Sequence, residues 1–187
     1  MMFDEGSSQA SIEAGRFTLR PVRRSDAGLI SMYAADPRVA RMTRNLPHPL
    51  PPGAVEAALV AAGEDDRAED QWAIDGSATG LAEVLGVVSL KRLERDQSEI
   101  RYWVAPAMWN AGIASEAVSA LIAANPQGSR EIFAEVFQDN PGSARVLTNC
   151  GFDYLGDAEA FSVARGAMVP TWTYMLKLAA QPAALRR

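Results

Sequence analysis

The chain has 187 residues and a mass of 20.1 kDa, with 48% apolar and 22% charged residues, which fits one globular domain able to bury its own core. Eighteen Lys and Arg against 23 Asp and Glu give a formal charge of −5. That excludes a general nucleic-acid binder, whose affinity rests on a basic surface, and leaves only a local basic patch open. The single cysteine, Cys150, permits no internal disulfide and no CxxC metal site, and the single histidine, His48, rules out a His-rich metal site. Any Ser-His-Asp triad would have to use His48.

The opening MMFDEGSSQASIEAG is polar and acidic without an apolar core, so no secretory signal is expected. The most apolar helical stretch, residues 54–62, is too short to span a bilayer, so no membrane association is expected and the expected compartment is the cytoplasm. Residues 1–15 read as a flexible lead-in, 16–178 as one domain and 179–187 as a loose tail.

Phe17 and Leu19 suggest a first strand ending at Pro21. Ser25-Asp26 offers an N-cap for a helix over 26–35, with Asp36-Pro37 ending it and a short helical turn over 37–42. Asn45 to Gly53 holds four prolines and reads as a loop, and Pro52 fits the first turn of a helix over about 52–64. The run from Glu64 to Asp70 reads as a charged, solvated exit that could attract a cation. Strands are expected at 72–75, 82–92 and 99–104, the second apolar on both faces as in a covered sheet.

A loop over 105–112 precedes a helix in which Ile113, Ala117, Val118, Leu121 and Ile122 recur at helical spacing. A strand at 131–137, a helix from Asn140 to Cys150 with Gly151 as its C′ residue, and strands over 152–165 and 169–178 complete the chain. There is no internal repeat. Hairpins in the middle and strand–helix–strand units at the end make a mixed α/β sheet with helices on both faces.

Two segments carry chemistry. The strand ending at Val104 runs through Trp109-Asn-Ala-Gly-Ile-Ala114 into a helix. A helix N-terminus offers unpaired N–H groups and a positive dipole end, and Gly112 between small alanines lets a ligand approach the backbone, as at a diphosphate site. Alone, one Gly before a helix is an ordinary turn. One strand later, Asn140-Pro-Gly-Ser143-Ala-Arg-Val-Leu-Thr-Asn-Cys-Gly151-Phe152 sets an Asn before a helix, a Ser three residues on, and a closing Gly-Phe. An N-cap and a C-cap explain its two ends without explaining its pairing with the first segment.

Together these segments resemble the GNAT superfamily of N-acetyltransferases, and most closely its ribosomal-protein alanine N-acetyltransferase branch, the RimJ/RimL type. Phe17-Thr-Leu-Arg-Pro21, Asp26-Ala27, Asp36-Pro-Arg-Val39, Glu99-Ile-Arg-Tyr-Trp-Val-Ala-Pro106 and Trp109 to Ala117 resemble further motifs of that branch, so the likeness covers about residues 16–178. It implies a mixed, mostly antiparallel α/β sheet of six to seven strands with helices on both faces and strands splayed at the coenzyme site. It implies acetyl-CoA as co-substrate, no metal, and an amine acceptor that is a protein N-terminus or a small molecule. A homodimer is compatible with it.

The resemblance also implies roles. Backbone N–H groups of Asn110, Ala111, Gly112, Ile113, Ala114 and Ser115 would hold the pyrophosphate, behind Trp109. The strand end at Tyr102, Trp103 and Val104 would pair with the pantetheine arm, and Asn140 would bond that arm or the acetyl end. Ser143 would protonate the departing thiolate, and Arg145 suits a phosphate. Trp109 departs from a common Gln or Arg, Arg101 stands where Gly is common, and Asn149 replaces a common Lys.

Direct attack of an amine on a thioester needs no covalent enzyme intermediate. An α-amine with a pKa near about 8 is roughly a tenth neutral at pH 7, whereas a lysine amine near about 10.4 needs more help. A carboxylate acting through water supplies it, and Glu99 is the candidate base against the plainer reading of a solvated strand-end charge. A backbone N–H would polarise the carbonyl. Cys150 reads as core and His48 as a loop residue whose loop could border the acceptor cleft. Tyr154, Trp172 and Tyr174 are candidates for the acceptor pocket, with plain core as the alternative; Trp72 reads as core. Three rival readings are a small-molecule or antibiotic acetyltransferase, a non-catalytic acyl-CoA-binding module, and an unrelated nucleotide binder, the last lacking both GxGxxG and a Walker lysine motif.

Overall fold

A computed structural model describes residues 9–179. The chain runs β1 (Ile12–Glu13), β2 (Thr18–Pro21), α1 (Ala27–Ala34), α2 (Pro37–Ala40), α3 (Ala54–Ala62), β3 (Glu69–Asp75), β4 (Gly86–Arg92), β5 (Gln97–Val104), α4 (Ile113–Ala124), β6 (Glu131–Phe137), α5 (Pro141–Asn149), β7 (Asp153–Ser162) and β8 (Ala167–Lys177). The strands form one eight-stranded sheet in the order β1-β2-β3-β4-β5-β6-β8-β7. Every neighbouring pair is antiparallel except β5 and β6, whose parallel pairing requires the crossover that α4 supplies. The fold is the expected mixed α/β sheet with helices on both faces, with eight strands rather than six or seven.

Alternation along the strands divides the core in two. On one face Ile113, Ala117, Val118 and Leu121 of α4 and Leu147 of α5 pack with Ile100, Val104, Ile132 and Val136. On the other, Ile30 of α1 and Val55 and Leu59 of α3 cover Ala73, Val84 and Val87. Leu121 and Leu147 are fully buried, each contributing about 1.5–3 kcal/mol of transfer free energy.

Several boundaries differ from the sequence expectation. The lead-in is shorter: Ile12 and Glu13 pair with Leu19 and Thr18, and Trp72 Nε1 donates to the Ala10 carbonyl at 2.9 Å. A two-residue strand is too short to show a period. Residues 1–8 of that lead-in, and 180–187 of the expected tail, lie outside the described residues. The charged exit is partly strand, because β3 begins at Glu69, and Asp70 is buried between Arg67 at 2.9 Å and Arg92 at 2.7 Å. Compensated charge, not solvent, holds that carboxylate.

Asp26 does not cap α1. Arg24–Asp26 forms a 3-10 turn, and the Asp26 carboxylate pairs with buried Arg20 at 2.8 Å while Arg20 also reaches Asp75 at 2.6 Å. Pro52 lies outside α3, whose N-cap is Gly53 in the left-handed region at φ 77°. Residues 82–85 precede the β4 ladder; they read as strand because Val84 and Leu85 are buried. Among the described residues, no helix is long and apolar enough to cross a membrane.

Candidate active site

The parallel pairing of β5 and β6 stops at Glu99 opposite Phe133. Beyond it β5 continues to Val104 and β6 to Phe137 without pairing to each other, while β6 is paired with β8 along its whole length, from Glu131 opposite Lys177 to Phe137 opposite Thr171. The backbone edge of β5 from Ile100 onward therefore faces a gap. On its other side β5 stays paired with β4 up to Gly86 opposite Val104. Gly86 is required there: a Cβ would stand 2.2 Å from the Trp103 carbonyl oxygen.

A cavity of about 500 Å³ runs from this gap to the start of α4. All the residues expected to bind coenzyme line it except Ala111: Tyr102, Trp103 and Val104 from β5, Trp109, Asn110 and Gly112 through Ser115 from the loop and α4, and Asn140, Ser143 and Arg145 from the α5 segment. Asn110 and Gly112 hold left-handed backbone at φ 60° and 76°, and the first-turn amides of α4 have no intrahelical partner. Ala111 instead gives its carbonyl to Arg16 Nη1 at 2.8 Å. Arg16 also bonds Glu116 at 2.6 Å, which ties the phosphate-type loop to the chain before β2. Burial acts to raise the Glu116 pKa, but the hydrogen bonds from Arg16 outweigh it and hold the carboxyl below its usual range.

Trp109, the departure from Gln or Arg, donates Nε1–H to the Val104 carbonyl at 2.7 Å and so fastens the loop to the strand end. Arg38 of α2 lies 5.7 Å from the Trp109 ring centre on the opposite wall. Asn140 uses Oδ1 to cap α5, accepting from the Ser143 N–H at 3.3 Å, so a ligand bond from Asn140 falls to Nδ2. Asn149, where Lys is common, also lines the cavity, which leaves Arg38 and Arg145 as its cationic residues among those described.

A second cavity of about 340 Å³ opens on the α1–α3 face of the sheet. Both Glu99 and Ser143 line it. It shares Met42, Thr43, Tyr102, Trp103 and Ser143 with the first, and these five residues are the junction. There the Ser143 hydroxyl donates to the Tyr102 oxygen at 3.0 Å, and the Tyr102 hydroxyl donates to the Ser143 carbonyl at 2.8 Å. Burial, opposed only in part by the Ser143 hydrogen bond, pushes the Tyr102 pKa well above its ordinary value. The phenol, protonated at neutral pH in any case, so stays protonated in alkali as well.

Glu99 is no solvated strand-end charge. Its two oxygens accept from Arg101 Nε at 3.1 Å and Nη2 at 2.9 Å, and Arg44 Nη1 stands at 3.4 Å. Arg44 also donates to Glu135 at 2.8 Å, and Arg101 lies 3.8 Å from Glu69. Burial works against the Arg101 cation, but the bond to Glu99 and the surrounding carboxylates leave its pKa raised.

Tyr154, Trp172 and Tyr174 line neither cavity. Tyr174 is core, Trp172 packs against it, and Tyr154 is exposed beside Asp157. They sit on β7 and β8, beyond the splayed edge. The loop around His48 does border the second cavity, through Leu46, Pro47 and Leu50, while His48 itself does not line it. The sequence alone does not mark Arg16, Arg44 and Glu135; Arg38 lies in the motif Asp36-Pro-Arg-Val39, and Glu69 in the charged run from Glu64 to Asp70 that could attract a cation.

A sheet splayed beside a helix N-terminus, with one cavity on each side of the gap, defines an acyl-transferring class of protein. The chain belongs to the acetyltransferase (GNAT) domain family, which matches residues 16–153. A curated relative, the uncharacterized N-acetyltransferase YoaA of Bacillus subtilis, is 29% identical over 110 residues, or 57% of this chain and 61% of that protein. The match thus spans under two thirds of the relative. Among solved structures, the ribosomal-protein-S5-alanine acetyltransferase of Vibrio fischeri is 22% identical with a TM-score of 0.76, covering 93% of this chain and 100% of that one. RimL, a ribosomal L7/L12 α-N-protein acetyltransferase solved with coenzyme A, is 16% identical with a TM-score of 0.77, covering 92% and 100%. Spermidine N-acetyltransferase of Vibrio cholerae, solved with CoA and spermine, is 17% identical with a TM-score of 0.71, covering 87% and 95%.

Proposed function

We propose that the protein transfers an acetyl group from acetyl-CoA directly to a primary amine. The observation that carries this reading is the junction: a coenzyme-sized cavity and a second cavity meet at Ser143 and Tyr102, where the β5 edge is unpaired. The residues fit the coenzyme. The left-handed Asn110 and Gly112 and the open amides of α4 suit a pyrophosphate, and Arg38 and Arg145 supply positive charge beside it. Acetyl-CoA supplies an activated acetyl thioester.

The chain supplies position and protons. The free edge of β5 holds an extended arm as a strand partner would and directs a backbone N–H at the carbonyl oxygen. Ser143 turns its hydroxyl from the Tyr102 oxygen to the departing sulfur, gives up its proton there and regains one from solvent. Tyr102 holds Ser143 in the junction through the bond to its backbone carbonyl. Glu99 takes the amine's proton through water, held in place by Arg101 and Arg44.

Release of free thiol from acetyl-CoA in the presence of amines tests the reading. Ser143→Ala should lower kcat at least a hundredfold with acetyl-CoA affinity intact. Glu99→Gln should lower kcat at least tenfold with acetyl-CoA affinity intact. A protein that binds acetyl-CoA and releases no thiol with any amine would instead be a non-catalytic acyl-CoA-binding module.

A further inference from the structure

The second cavity, which the acetyl-transfer reading makes the acceptor site, has a specific charge pattern. Its floor carries five charged side chains in alternating order: Glu69 of β3, Arg101 and Glu99 of β5, Arg44 from the loop after α2, and Glu135 of β6. The four strand residues lie on one sheet face, and among the described residues no other charged side chain lines the cavity. The ladder begins and ends on a carboxylate, so it holds one negative charge more than positive.

The partners of each carboxylate show where that excess is available. Glu99 uses both oxygens on Arg101 and Arg44. Glu135 accepts from Thr171 through one oxygen at 2.6 Å and from Arg44 through the other at 2.8 Å. Glu69 accepts from the Ser89 hydroxyl through Oε1, while Oε2 has only the 3.8 Å ion pair to Arg101. Glu69 thus has the least committed oxygen of the three. Opposite the ladder the walls are apolar, built from Ile30, Leu46, Leu50, Val55 and Leu59.

We propose that the acceptor is a primary amine on an apolar body, with one positive charge and no carboxylate near it. A single ammonium neutralises the ladder. An amino acid's carboxylate would restore the excess negative charge that its ammonium removes, since both guanidiniums are already paired. A polyamine would bring two or more cations to a site with one charge to give, and would lay polar chain against the apolar wall. At a partly enclosed site these charge mismatches discriminate strongly. An apolar alkylamine and the N-terminal residue of a peptide with an apolar side chain share this chemistry.

Calorimetric titration of the CoA-loaded protein at pH 7 with a matched series tests the proposal. The series is isoamylamine, leucine, leucinamide, a leucine-led peptide amide and spermidine. Isoamylamine and leucinamide should bind at least tenfold more tightly than leucine and spermidine. Tighter binding of the peptide amide than of isoamylamine assigns the source to polypeptide N-termini, and the reverse order to small amines; both agree with the proposal. Leucine or spermidine binding as tightly as isoamylamine, or no amine binding, overturns it. Glu69→Gln balances the ladder, so it should shrink the discrimination against leucine at least threefold with CoA affinity and melting temperature unchanged. An unchanged ratio in that variant also overturns the proposal. Thiol release from acetyl-CoA, measured alongside, separates the two claims: the predicted binding order without release sinks the acetyl-transfer reading and leaves the acceptor assignment standing.

Discussion

Tyr102 and Ser143 are joined by two hydrogen bonds of opposite direction. The phenol donates to the serine carbonyl at 2.8 Å and accepts from the serine hydroxyl at 3.0 Å. The pair spans the gap between β5 and α5 where the two cavities meet. A phenol is protonated at neutral pH without any shift, and burial moves its titration further upward, so the arrangement persists across neutral pH.

Tyr102→Phe should therefore lower kcat about tenfold, the equivalent of one hydrogen bond of ordinary strength, with acetyl-CoA affinity nearly unchanged. The double variant with Ser143→Ala should be no slower than Ser143→Ala alone, since the phenol acts through the serine. Steady-state kinetics of the three variants checks this.

Gly86→Ala should destabilise the protein by about 1–3 kcal/mol or more, the range for overpacking. Its Cβ would meet the Trp103 oxygen at 2.2 Å and the Val104 Cα at 2.9 Å, both backbone atoms that cannot swing aside. Denaturant unfolding measures the loss. Because the displaced atoms belong to the β5 end, acetyl-CoA affinity should fall with it.

Gly112→Ala should cost about 1–2 kcal/mol of backbone strain, because the residue sits at φ 76°. Its Cβ would also lie 3.3 Å from Arg16 Nη2, the far end of a flexible side chain that can shift. The stability loss should be modest and the coenzyme affinity loss larger, which calorimetry with acetyl-CoA separates from melting.

Asp139, just before the α5 cap, is held below the usual carboxylate range, chiefly by hydrogen bonds from Arg165 at 2.7 and 3.0 Å. Arg165 also bonds the Arg41 carbonyl, linking this turn to the loop that carries Arg44. With its pKa lowered on folding, Asp139 binds a proton less tightly in the folded than in the unfolded chain. Its stabilising contribution is full above the unfolded carboxylate pKa, near about 3.9, and is lost as pH falls through the folded value. The melting temperature of Asp139→Asn should fall below that of the parent at neutral pH, and the gap should close in acid.

Elements with local signals were legible in the sequence. The strand at Glu131–Phe137 has the expected bounds, and α5 is bracketed by its Asn140 cap and by Gly151 at φ 87°. α4 shows its buried stripe at Ile113, Ala117, Val118 and Leu121. The lining of the first cavity was legible in large part for the same reason, since most of it comes from two contiguous segments, with Arg38 to Thr43 joining from the chain around α2. The charged floor of the second cavity was less so. Arg44, Glu69 and Glu135 lie far apart in the chain and meet through strand register and the loop after α2, and no period marks a charged residue that will be paired on a sheet face. Glu69 and Asp70 read as solvated charge because their partners, Ser89, Arg92 and Arg101, are assigned by the ladder rather than by neighbouring sequence.

Direct transfer across the junction is the central claim, and initial-rate kinetics of thiol release test it most directly. Acetyl-CoA and leucinamide are varied together against the wild-type protein. The account predicts double-reciprocal lines that intersect, as for a ternary complex in which the amine attacks the thioester. Parallel lines, the signature of an acetylated enzyme, or an absence of thiol release would contradict it.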